Sequence, residues 1–177
     1  NSGSTSQGAK IGGGGLYNGG TQSAGHECLI EGATTISENI PSGLYIKGNA
    51  TVTFSETVTI GNASHLSEGI KIASDKKLTM INTSGVSPTV TINGGTYTYA
   101  NGDVYRYAGI YVPSDGELEI QKAASGTFTV TTTGNSSGHG TGAGIGGNGI
   151  TPNETTSDVS QTNAGTITIS DALGEQI

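Results

Sequence analysis

Side chains able to move protons or hold metals are sparse along this chain, and their spacing does not bring them together. His139 stands alone between Gly138 and Gly140, and His26, Glu27 and Cys28 form one short run near the start. Cleaving a glycosidic bond by hydrolysis needs two carboxyl groups facing that bond. Eliminating across an acidic sugar needs a carboxylate cluster for Ca2+ and a base. Asp75, Asp103, Asp115, Asp158 and Asp171 are instead scattered over turn-like stretches. Glu117 and Glu119 are two apart and so share a strand face, but the neighbouring segments offer them Thr79 and Thr53 rather than more carboxylates. The His26–Cys28 run has no second group at zinc-ligand spacing, and a structural use of Cys28 is expected. Gly144–Gly149 reads GIGGNG, the letters of a dinucleotide fingerprint, without the following helix whose N-terminus would hold a pyrophosphate. No catalytic residue, metal or cofactor is assigned.

Recognition chemistry is better supplied. The stretch Gly94–Tyr111 holds Tyr97, Tyr99, Tyr105, Tyr107 and Tyr111, five of the seven tyrosines, together with Arg106. Aromatic rings and arginine anchor binding surfaces. A second set is Lys10, Tyr45, Lys71, Tyr111 and Gly144, which alternation places in one outward column beside that stretch. Tyrosine faces stack on sugar rings, and Lys or Arg pairs with uronate carboxylates. A polysaccharide or cell-surface glycan, acidic ones above all, is the ligand expected here. The alternative is that these tyrosines pack the insertion onto the body of the protein.

The elements that must carry these residues follow from an internal repeat. Gly, two residues, then Ile or Val recurs at Gly8–Ile11, Gly43–Ile46, Gly69–Ile72, Gly109–Val112, Gly142–Ile145 and Gly174–Ile177. In three copies an alternating strand follows at a fixed offset, through Val52 and Phe54, Leu78 and Met80, and Leu118 and Ile120. A third segment closes each unit: Ala33–Ile36, Thr57–Ile60, Thr89–Ile92, Thr127–Val130 and Thr166–Ile169. The expected class is all-β: a right-handed parallel β-helix, or solenoid, with three short strands per rung and about five rungs with long loops. Residues 1–177 form one solenoid domain with rungs starting near 8, 43, 69, 109, 142 and 174. In the first and fifth rungs a long polar loop replaces the second strand. Because Gly174 opens a sixth rung, the chain reads as a segment of a longer repeat protein, or as a subunit that stacks end to end on copies of itself.

The closing strands also predict a threonine ladder facing outward: Thr57 and Thr59, Thr89 and Thr91, Thr127 and Thr129, Thr166 and Thr168, preceded by Ala33 and Thr35. Strand spacing of about 4.8 Å and alternate-residue spacing of about 6.7 Å would set these side chains in a flat lattice. Such a lattice resembles the threonine arrays of β-helical ice-binding proteins. Threonine is equally an ordinary outward strand residue.

With these segments in hand, the three-strand unit resembles the pectate-lyase-like right-handed parallel β-helix superfamily over nearly the whole chain. GAGIGG at Gly142–Gly147 followed by GTITIS at Gly165–Ser170 is similar to repeats of large secreted or wall-anchored surface proteins of Gram-positive and gut bacteria. Gly138–Gly140 is similar to a short motif of the polygalacturonase branch, whose further Asp residues are missing. The resemblance implies a non-catalytic protein of adhesion, structural spacing or polysaccharide binding. A pectinolytic-like enzyme or its degenerate relative is the alternative it leaves, with a filament subunit or ice-binding protein as another.

Composition narrows the partners further. Glycine supplies 31 residues and charged residues only 12%, a mixture of turn and strand formers that disfavours helices. A net charge of -7 with Arg106 as the sole arginine argues against nucleic acid. No apolar run is long enough to insert in a membrane, and one cysteine forms no internal disulfide. An extracellular, secreted or surface-displayed location is expected. Asn49, Asn62, Asn82, Asn135 and Asn153 open Asn-x-Ser/Thr sequons.

Overall fold

The computed structural model describes residues 17–18, 21–22, 28–62, 66–98, 104–135, 141–151, 160–161 and 164–171, and all regular structure among them is strand. β1 (Tyr17–Asn18) and β2 (Thr21–Gln22) form a short antiparallel pair. The chain then makes successive circuits. The first is β3 (Cys28–Ile30), β4 (Thr34–Ile36) and a single bridge at Ile40. The second is β5 (Leu44–Ile46), β6 (Ala50–Phe54) and β7 (Val58–Ile60). The third is β8 (Ile70–Ile72), β9 (Lys77–Asn82) and β10 (Thr89–Asn93).

A hairpin of β11 (Thr96–Thr98) and β12 (Val104–Arg106) interrupts the path. The fourth circuit follows with β13 (Ile110–Tyr111), β14 (Glu117–Gln121) and β15 (Thr129–Thr133). The last has β16 (Ile145–Gly146), a second hairpin of β17 (Gly149–Thr151) and β18 (Ser160–Gln161), and β19 (Thr166–Ser170).

Three parallel sheets result. The first is β3-β5-β8-β13-β16, the second β4-β6-β9-β14-β19 and the third β7-β10-β15. This arrangement is compatible with a β-solenoid. The two hairpins pair with each other through β12 and β17, making a separate antiparallel sheet, β11-β12-β17-β18.

Period-two alternation explains the core. Leu44, Ile46, Val52, Phe54, Val58 and Ile60 are buried, as are Ile70, Ile72, Leu78, Met80, Val90 and Ile92 in the next circuit. Each contributes roughly 1.5–3 kcal/mol before conformational entropy is set against it. Phe54 is fully buried, its ring 5.7 Å from that of Phe128. The core thins upward. Val130 is only partly buried, while Ile167 and Ile169, in register with Leu118 and Ile120, are 39% and 50% exposed.

Several expected placements are corrected. Residues 8–11 and 174–177 lie outside the described residues, and the first-sheet strand below β5 is β3. Thr34–Ile36 and Thr166–Ser170, read as third strands, both belong to the second sheet, so no loop replaces the second strand in those circuits. Threonine-rich alternation suits any outward face, and backbone fit decides the sheet. A side chain at Gly165 would collide with the carbonyl oxygens of Gly116 and Pro113, so glycine lets β19 settle on that corner. There Thr166 N donates to Gly116 O at 3.1 Å.

The fifth glycine tetrad is displaced by two residues. Ile110 pairs with Ile145 and its N–H donates to Gly144 O, so Gly144 rather than Gly142 takes the corner above Gly109. In the second sheet β6 is shifted by two as well: Val52 pairs with Met80, and Phe54 with Asn82. The extra inward place is thus taken by a buried polar residue. Asn82 Nδ2 donates to Val86 O (2.8 Å), Thr83 O (3.1 Å) and Ser125 O (3.3 Å), while Oδ1 accepts from Ala123 N (2.8 Å). This sequon is therefore closed in the folded chain, whereas Asn49 and Asn62 are exposed.

Candidate functional site

The outward face of the first sheet carries a column in which Tyr45, Lys71 and Tyr111 are direct register neighbours. Alternation fixes this, because Leu44, Ile46, Ile70, Ile72 and Ile110 take the inward places. Lys71 Nζ lies 5.5 Å from the centre of the Tyr45 ring, and Lys47 Nζ, two residues along the same strand face, lies 5.9 Å from it. Both are within cation–π range. Above Tyr111 the column meets Gly146, not the expected Gly144. Lys10 lies outside the described residues.

The hairpin sheet stands at the corner leading into β13. Its base is tied down by Gly94 N to Thr133 O (2.7 Å), Gly95 N to Ser67 O (2.9 Å) and Tyr107 N to Gly95 O (3.0 Å). Tyr97 and Tyr105 are cross-strand partners and half-buried, on the face opposite Val104 and Arg106. Arg106 and Tyr107 are buried, and the Tyr107 ring is 6.3 Å from that of Tyr105. Tyr107 thus packs against half-buried Tyr105. Tyr99 and His139 lie outside the described residues, as do His26 and Glu27.

Two residues at this corner went unnoticed in the sequence. Glu68 is 3% exposed; its Oε1 accepts from Asn148 Nδ2 at 2.5 Å, and its Oε2 is 3.9 Å from Lys71 Nζ. Asn148 Oδ1 in turn accepts from Ala108 N at 2.8 Å. Asn148 is the one side chain with hydrogen-bonding atoms in GIGGNG, and the partners lie 80 residues apart, so nothing local signals them.

On the second sheet Glu119 gathers Lys77 Nζ (2.9 Å), Thr79 Oγ1 (3.3 Å) and Ser170 Oγ (3.3 Å) from neighbouring circuits. Glu117 is exposed beside Lys77. The Lys77 hydrogen bond, ahead of its charge and the two hydroxyls, holds the Glu119 carboxyl below its ordinary value against a smaller opposing effect of burial. A depressed folded pKa stabilises above the unfolded value, and that gain is lost as pH falls through the folded one. Glu119→Gln is expected to cost about 0.5–1 kcal/mol at neutral pH, the scale of a part-exposed pair. The difference between the two proteins should close on acidification below the ordinary carboxylate range, read by urea unfolding across pH.

The threonine ladder exists in the third sheet with different members. Thr89 pairs with Thr129, and its N–H donates to Thr57 Oγ1 at 3.1 Å. The second column is Thr59, Thr91 and Thr131. Thr127 precedes β15 and its N–H is taken by Ser87 Oγ, so it falls out of the ladder. Thr166 and Thr168 stand beside Glu117 and Glu119 instead. Compared with protein-family models, curated proteins and solved structures, the chain matches none.

Proposed function

We propose that the chain is a right-handed parallel β-helix displayed outside the cell, whose work is non-catalytic polysaccharide binding in adhesion or structural spacing. The observation that supports this most is the Tyr45–Lys71–Tyr111 column. It is an aromatic–cation–aromatic row on a flat sheet face, with successive residues about 4.8 Å apart. Tyr97 and Tyr105 extend the aromatic surface at the adjoining corner, with the Tyr107 ring packed against Tyr105. A row of this kind suits an extended chain of sugars carrying carboxylates: rings lie on tyrosine and the acid pairs with Lys71 or Lys47.

The test is a glycan array and pectin pulldown, with release of reducing ends assayed in the same wells. Binding to uronate-rich chains without cleavage is the expected result, weakened about tenfold or more in Tyr45→Ala/Tyr111→Ala through loss of two aromatic anchors. Binding unchanged in that variant would remove the column from the proposal, and no binding to any glycan would overturn it. Released reducing ends would move the protein to the polysaccharide-active enzymes.

A further inference from the structure

Two lysines reach the Tyr45 ring, and the buried Glu68 sets them apart. Lys71 Nζ, 5.5 Å from the ring centre, also lies 3.9 Å from Glu68 Oε2. That carboxylate is 3% exposed, and its other oxygen accepts from Asn148 Nδ2, which fixes it from the hairpin side. A buried carboxylate is costly unless an opposite charge and hydrogen bonds compensate it. Lys71 is the cation that faces it, so the Lys71 ammonium keeps its charge while Glu68 offsets much of its field. Lys47 Nζ, 5.9 Å from the same ring, is placed otherwise. Its side chain is exposed, and none of the ion pairs among the described residues includes it, not even with Glu31 just past β3. One step past the Ile46–Ile72 pair, the neighbouring place on the next strand is Ala73, which carries no polar side chain.

We propose that Lys47 is the residue that selects acidic over neutral sugars at this column, and that Lys71, held by Glu68, is a positioning residue for Tyr45. The inference rests on the glycan reading above and assigns its charge selection to one side chain. Lys71 approaches Tyr45 from the adjacent strand, directly in register, whereas Lys47 approaches along Tyr45's own strand. A sugar lying on Tyr45 therefore has two edges of different character. A carboxylate on the Lys71 side meets attraction from the ammonium and repulsion from Glu68 together. On the Lys47 side it meets a cation alone.

Polygalacturonate and its methyl ester share their rings and differ in charge, so the ratio of their affinities separates selection from stacking. By isothermal titration calorimetry on the full chain, the acid form is expected to bind about two- to fivefold tighter, the range an exposed ion pair supplies. The preference should shrink as salt is raised. Lys47→Met should abolish it while binding of the methyl ester persists, and Lys47→Arg should keep it. Lys47 is exposed, so these variants are expected to fold and decide the matter by themselves. Glu68→Gln keeps an acceptor for Asn148 and frees Lys71 from its counter-charge, so the preference should rise. Removing the pair together, in Glu68→Gln/Lys71→Met, leaves the net charge as it was and should leave the preference unchanged. A preference that survives in Lys47→Met overturns the inference and leaves the glycan reading standing, as does equal affinity of the unsubstituted chain for the two polymers. Binding of neither polymer overturns it too, and the glycan reading falls with it when the array is blank as well.

Discussion

Asn82→Leu is expected to lower stability by about 3–4 kcal/mol, although leucine fills nearly the same space. The substitution leaves the carbonyls of Thr83, Val86 and Ser125 without their side-chain donor and the N–H of Ala123 without its acceptor. Each buried group left unpaired costs about 1–3 kcal/mol, less where water can enter from the exposed Ser125 side. For a chain of this size that corresponds to a fall in Tm of about 6–15 °C. The damage is local in origin but not in effect, since Asn82 ties the turn after β9 to the one after β14, directly beside Phe54. Thermal unfolding by circular dichroism checks the magnitude. A fall of less than about 1 kcal/mol would mean that the asparagine is a spacer rather than a clamp. Asn82→Asp separates the two functions of the amide: it keeps the acceptor for Ala123 N and loses the donors, so it should still be strongly destabilised.

That the same residue stands out in the sequence only as one of five sequon asparagines shows where reading the chain by pattern stops. The alternation at Leu44–Ile46, Val58–Ile60, Ile70–Ile72 and Val90–Ile92 is dictated locally by strand geometry, and every inward residue it names is buried. Which sheet a strand joins is not local. Thr34–Ile36 and Thr166–Ser170 carry the same Thr/Ile pattern as the third-sheet strands, yet corner packing sends them to the second sheet. Register is only half-local, because a shift of two residues keeps every side chain on its proper face. The Val52–Met80 and Ile110–Ile145 pairings were free to slip in that way.

The candidate site divides along the same line. Tyr45, Lys71 and Tyr111 are recoverable from the repeat, whereas the burial of Arg106 and Tyr107 depends on β12 pairing with β17, a segment 43 residues further on. Aromatic content marks the hairpin but does not distinguish its buried residues, Arg106 and Tyr107, from half-buried Tyr97 and Tyr105. The same limit hid Glu68, whose partner is reached only when two separate insertions form one sheet.

Gly94→Ala should release that sheet from the rest of the protein while leaving the three parallel sheets intact. A methyl group at Gly94 would run into the carbonyl oxygen of Tyr107 and lie 2.7 Å from the Ala108 carbonyl. Both obstacles are backbone, so no side-chain rotation relieves the contact. Gly94 N donates to Thr133 O while Gly95 O accepts from Tyr107 N, so moving the glycine away strains the anchor on either side of it. Overpacking of this kind costs about 1–3 kcal/mol, and more when backbone must move. Concentrated at one hairpin, that is enough to speed hydrogen exchange about tenfold or more. The expected signature is faster exchange at Thr96–Thr98 and Val104–Arg106 with unchanged protection at Leu78, Met80, Leu118 and Ile120. Gly32→Ala meets nothing within 4 Å and should leave both regions as they were. Uniform loss of protection in Gly94→Ala would show that the hairpin sheet and the parallel sheets unfold as one unit, and that the corner is a keystone of the fold rather than a mount for its tyrosines.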